Sequence, residues 1–153
     1  MVGEIAGNSS PDNEALMCAV FRALGRGRPE PLLDALHEDV VWKAAVAQKG
    51  LLPFGGEYRG RAGVAQFLAH FAKRYAFRQF EAREVLSREE VVWGLFDVQI
   101  EHIEERGSVP KILSGQVAAR WRVRDNKILE HQGFGDILPL FLAALPAEPR
   151  STG

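Results

Sequence analysis

VAARWRVRDNKILEHQGFGDI, residues 117–137, alternates apolar and polar side chains on both sides of a central Arg-Asp-Asn. Alternation of period two marks a half-buried strand, and a short polar break between two such runs marks a hairpin. The length of the break matters, because a slip of one residue turns every side chain to the other face. A two-residue turn sets Trp121 against Glu130, a carboxylate beside a large apolar ring. A three-residue turn (Arg124, Asp125, Asn126) puts asparagine in the left-handed conformation it tolerates. Arg120 then opposes Glu130 and Trp121 opposes Leu129. The second register makes the alternation consistent and is the expected one. Val117, Ala119, Trp121, Leu129, His131 and Gly133 share the inner face. Gln116, Ala118, Arg120, Arg122, Glu130 and Gln132 share the outer. Asp136 falls on the outer parity, directly before "ILPLFLAAL". It is expected to start a helix, accepting main-chain N–H bonds there, rather than to act as a catalytic carboxylate.

Working outward, four strand-like runs are expected at about 77–86, 90–104, 112–124 and 127–135. The short breaks between them, "SREE", "ERGSVP" and "RDN", imply antiparallel neighbours. "VAQFLAHFAKRY" (64–75) is a helix by its spacing: Val64, Phe67, Leu68, Phe71 and Tyr75 form one face. "SPDNEALMCAVFRALGRG" and "RPEPLLDALHED" are two earlier helices. "VVWKAAV" (40–46) is a strand, 47–63 a long glycine-rich loop, and about 136–145 a closing helix. The order is α-α-β-α-β-β-β-β-α, an α+β fold with helices on one face of a curved antiparallel sheet. A single domain spans 10–145, between loose tails at 1–9 and 146–153.

Composition narrows the function classes. The 153 residues suit one domain with one core. Hydrophobic residues at 46% and charged residues at 25% are those of an ordinary globular protein. A net charge of −1 with no basic stripe gives nucleic-acid binding no electrostatic support. No apolar run reaches the roughly 18–20 residues of a membrane span, so no membrane partner is expected. The start lacks the pattern of a signal peptide, and cytoplasmic location is the expectation. Cys18 is the single cysteine, which excludes an internal disulfide. Paired metal-ligand spacing and a Walker lysine-serine pair are both absent, so no metal or other cofactor is expected.

"ALHEDVVW" (35–42), "LPFGGEYRGRAGVAQFL" (52–68) and the 117–137 stretch together resemble the nuclear-transport-factor-2-like superfamily, in its SnoaL-like and ketosteroid-isomerase-like branch. The resemblance implies a cone: a bent sheet wrapped on three or four helices, with one deep apolar pocket, commonly in a homodimer. It implies a pocket for a small apolar molecule. Isomerase, dehydratase or cyclase chemistry on a small apolar carbonyl compound is one function open to that fold. Non-catalytic binding and a dimerising structural role are the others. The carboxylate machinery of known members does not carry across. The region of the steroid-isomerase base reads "VVWKAAVAQKG", without Asp or Glu. Positions used by epoxide-hydrolase-like members become Trp42, Ala44 and Gly133, with the remaining pair near Ile100 and His102.

The candidates for chemistry are therefore other residues. His131 faces inward and suits proton transfer near neutral pH. Tyr75 or His102 would polarise an oxygen. The pocket is expected to be lined by Trp42, Phe54, Phe67, Phe71, Val98, Val117 and Trp121. The register of the 90–104 strand leaves a choice: either His102 faces inward with Phe96, Val98 and Ile100, or Asp97 does, beside Trp93 and Leu95. Tyr58 and Arg59, in the glycine-rich loop, are candidates to gate the pocket.

Overall fold

The computed structural model describes residues 10–45, 54–103 and 111–135. The closing helix, the helix start expected at Asp136 and both tails lie outside them. Three helices, α1 (Ser10–Gly25), α2 (Glu30–Ala35) and α3 (Gly60–Ala72), pack on a six-stranded sheet. Its strands are β1 (Leu36–Lys43), β2 (Glu57–Arg59), β3 (Tyr75–Arg88), β4 (Val91–His102), β5 (Lys111–Arg124) and β6 (Lys127–Gly135). Their order is β2-β1-β6-β5-β4-β3. This is the α+β cone.

Two features of the sheet are absent from the sequence reading. β1 runs parallel to β6, while every other pairing is antiparallel. The last part of the presumed loop is β2, an edge strand on which Tyr58 pairs with Trp42. β1 also begins earlier than expected, at Leu36, directly after α2.

α1 buries Met17, Val20 and Phe21 against the sheet. Asn13 is buried with them, and its side-chain amide donates to the carbonyls of Glu89 (3.1 Å) and Val123 (3.3 Å). One side chain thus ties the helix to the ends of two hairpins and keeps two main-chain acceptors satisfied. α3 ends at Ala72, earlier than the periodicity implies. The Arg74 amide donates back to the Phe71 carbonyl (3.2 Å), and Tyr75 instead opens β3 opposite His102. Tyr75 remains fully buried, but as a strand residue. β3 shifts register against β4 twice, between Phe77 and Gln79 and between Ala82 and Glu84. Extra residues of this kind bend a strand and tighten its twist, which helps the sheet curl.

The β5–β6 hairpin corrects the expected register. The turn has two residues, Asp125 and Asn126, both left-handed (φ 51° and 61°), and Arg124 pairs with Lys127. Such a turn matches the twist of the flanking strands. Val123 and Ile128 then oppose each other, both fully buried. One step on, Arg122 opposes Glu130, so Leu129 is an extra residue on β6. The bulge restores the expected parity beyond it: Trp121 opposes His131 rather than Leu129, and Ala119 opposes Gly133. Leu129 itself leaves the inner row and is only half-buried. Glu130 faces outward, where it accepts bonds from Arg120 (3.3 Å) and Arg122 (3.1 Å).

Candidate functional site

The concave face of the sheet and the helices enclose a cavity of about 610 Å³. Its wall is built on aromatic contacts that close on themselves. Trp121 meets Phe21 at 5.6 Å between centroids, Phe21 meets Phe96 at 4.7 Å, and Phe96 stacks on Phe80 at 4.7 Å. The chain continues through Phe77 (5.5 Å), Phe71 (5.0 Å) and Phe54 (5.2 Å). It returns by Phe67 (6.2 Å) to Trp42 (5.4 Å), which meets Trp121 edge-on at 5.5 Å. All of these rings except Phe21 line the cavity. Edge-to-face and offset pairs at such separations are favourable for aromatic quadrupoles, so the wall is self-supporting around the space.

All seven expected pocket residues line the cavity: Trp42, Phe54, Phe67, Phe71, Val98, Val117 and Trp121. Tyr75 and His131 line it as well. Phe77 and Phe80 were hidden from the sequence pattern because the shifts in β3 break its alternation. Their signal was only the abundance of phenylalanine in that run. Phe96, on the other hand, sits on the inward parity read for β4.

The register of β4 is settled by its pairs. Phe96, Val98 and Ile100 are buried on the concave side, and Asp97 turns outward. Asp97 accepts a bond from the Gln116 amide (2.9 Å) and pairs with Arg83 (2.9 Å), so it is no candidate for a base in the pocket. His102 is buried, but it does not line the cavity; it lies against the Tyr75 ring at 5.4 Å between centroids. Of the two residues expected to polarise an oxygen, Tyr75 lines the cavity and His102 does not. Tyr58 and Arg59 are likewise off the cavity, on β2. The Tyr58 hydroxyl donates to the Gly55 carbonyl (3.4 Å) and its ring packs on Phe67.

No Asp, Glu, Lys or Arg lines the cavity among the described residues, and its titratable groups are Tyr75 and His131. His131 stacks on Trp42 at 3.8 Å and meets Trp121 edge-on at 4.3 Å. Burial removes water from the imidazolium and lowers its pKa from 6.5 to about 3, against the opposing pull of a main-chain hydrogen bond at Lys43. His131 is therefore neutral across the physiological range. Burial raises the Tyr75 phenol, with Arg74 pulling slightly the other way. Trp42 Nε1, Trp121 Nε1, Tyr75 Oη and His131 Nδ1 are sealed from solvent and have no hydrogen-bond partner among the described residues. The surface that the cavity presents is predominantly apolar, with Gln79, Ser114 and Gln116 among its polar side chains. Among the described residues no group of three or more His, Cys, Asp or Glu is placed to hold a metal ion. No helix there is long and apolar enough to cross a membrane.

Solved structures share this architecture. An NTF2-like protein of unknown function from Burkholderia pseudomallei superposes with a TM-score of 0.74 at 17% identity, covering 86% of this chain and 95% of that one. TerC, co-crystallised with polyporic acid, gives 0.68 at 22% identity, covering 84% and 94%. A putative polyketide cyclase from Xanthomonas campestris gives 0.68 at 20% identity, covering 87% and 96%. At these identities the likeness establishes the fold. No curated protein matches the chain. The profile of the SnoaL-like domain matches residues 18–131, from within α1 to His131 on β6. With the curled sheet and the enclosed pocket in place, that match makes the chain a member of the SnoaL-like domain family.

Proposed function

We propose that this protein binds a neutral, ring-containing, predominantly hydrocarbon molecule in its cavity. One observation carries the reading: a space of about 610 Å³ walled by aromatic rings, with no charged side chain among the described residues that line it. That volume is in the range of small-molecule sites. A charged ligand would lose its hydration there without gaining a counter-ion, a heavy penalty in so apolar a space. TerC, of the same fold, was co-crystallised with polyporic acid, which supports a small-molecule occupant for this fold.

A second reading is catalytic. Neighbours of the same fold include putative polyketide cyclases. His131 and Tyr75, the titratable groups of the wall, would then move a proton on a small apolar carbonyl compound, in an isomerisation, dehydration or cyclisation. Against it stands the acidity of the His131 imidazolium. A base whose conjugate acid has a pKa of about 3 has little drive to remove a carbon-bound proton at neutral pH. Binding is thus the better-supported function.

Two probes that share one skeleton test it. N-phenyl-1-naphthylamine is neutral, and 8-anilino-1-naphthalenesulfonate is the same molecule with a fixed negative charge. Titration calorimetry should show the neutral probe binding at least tenfold more tightly. Tighter binding of the sulfonate would overturn the reading. Native mass spectrometry of co-purified small molecules, repeated with His131→Phe, separates binding from turnover. A ligand converted by the wild type and returned unchanged by the variant would favour the catalytic alternative.

A further inference from the structure

Four glycines lie within strands of the described residues: Gly94, Gly115, Gly133 and Gly135. Three have a packing reason. A Cβ on Gly94 would lie 2.4 Å from the Phe96 ring, and one on Gly135 would lie 2.9 Å from Val117. On Gly133 it would meet the Ala45 amide at 3.3 Å. Gly115 is different. Among the described residues a Cβ there would meet nothing within 4 Å, and its backbone is not left-handed. Glycine in a strand gives up packing and is entropically unfavourable, so one that neither conformation nor packing requires marks a close approach by something else.

The direction of the absent side chain follows from the pairing. Gly115 is opposite Val98 on β4, and Val98 lines the cavity. Direct cross-strand partners point to the same face of a sheet. A side chain at 115 would therefore project into the cavity. Gly115 itself lies at the exposed end of the space, with Phe77 and Ile103 also exposed on the lining. We infer that Gly115 sets the clearance of the mouth and so selects the ligand: an elongated, neutral, multi-ring molecule whose inner end sits within the aromatic wall and whose outer ring lies flat on the main chain at Gly115. A compact ring pair held inside the wall needs no such clearance. The inference rests on the reading of the cavity as an apolar binding site.

The test compares N-phenyl-1-naphthylamine, a compact probe, with Nile red, a longer fused neutral one, on wild type and Gly115→Leu. The variant should weaken Nile red at least tenfold and the compact probe less than twofold, with a thermal midpoint equal to or above that of wild type. Nile red bound equally by both proteins, or not bound by wild type, would overturn the role of Gly115. Equal weakening of both probes would do the same, because the side chain would then act on the whole cavity and not on the mouth. If Gly115→Leu folds poorly, Gly115→Ala and Gly115→Val replace it. Loss of Nile red graded with side-chain size supports the inference, and a flat series sinks it. Failure of the compact probe on wild type instead removes the underlying binding reading.

Discussion

Lowering the pH from about 7.5 to about 5 should destabilise the folded protein by about 2 kcal/mol through His131 alone. The magnitude follows from its surroundings. The imidazole lies between Trp42 and Trp121, and burial takes its pKa from 6.5 to about 3. The folded value is the lower one, so the contribution to stability is complete above 6.5 and is lost as the pH falls towards about 3. Over that interval the unfolded chain accepts a proton that the folded chain refuses. Each pH step below the unfolded value removes roughly 1.4 kcal/mol, which gives about 2 kcal/mol near pH 5 and about 4–5 kcal/mol near pH 3. The last figure is a large part of the roughly 5–15 kcal/mol that holds most domains folded. Urea unfolding of wild type and His131→Phe at the two pH values isolates the effect. The phenylalanine ring fills a similar space and cannot titrate, while the carboxylates and the other histidines are common to both proteins. Wild type should lose about 2 kcal/mol more than the variant between about pH 7.5 and pH 5. Equal losses would show that the His131 ring is hydrated in the folded protein, and the argument for an apolar site would fail with it.

Gly94→Ala should cost about 1–3 kcal/mol in urea unfolding, since its Cβ would meet the Phe96 ring at 2.4 Å and 2.7 Å. Unchanged stability would mean that Phe96 is not folded back over β4. Asn13→Leu should cost about 1–3 kcal/mol, because the buried carbonyl of Val123 loses its side-chain donor. A neutral effect would show that water reaches that carbonyl. The convex face carries Trp93 stacked on Phe134 at 5.9 Å, both more than two-fifths exposed. We expect a homodimer through this face, dissociated by Trp93→Glu; sedimentation of the wild type at the mass of one chain at micromolar concentration would refute it.

Much of this molecule is decided locally. The α3 face and four long strands follow from periodicity, because burial on one side of an element imposes a repeat that the chain must carry. Periodicity left β4 with two faces to choose from, and only its place in the sheet turned Phe96, Val98 and Ile100 inward and Asp97 outward to Gln116 and Arg83. What the tertiary structure decided depends on residues far apart in the chain. The parallel pairing of β1 with β6 has no turn between its strands to announce it. The Leu129 bulge answers a competition between Ile128, which must be buried, and Glu130, which must reach two arginines, and neighbouring residues alone do not show which register wins. Tyr75 leaves the helix pattern because β4 offers it a partner. His131 illustrates the division best. Its inward parity could be read from alternation, but its acidity is set by Trp42 on β1 and Trp121 on β5, whose rings exclude water only once the sheet has curled.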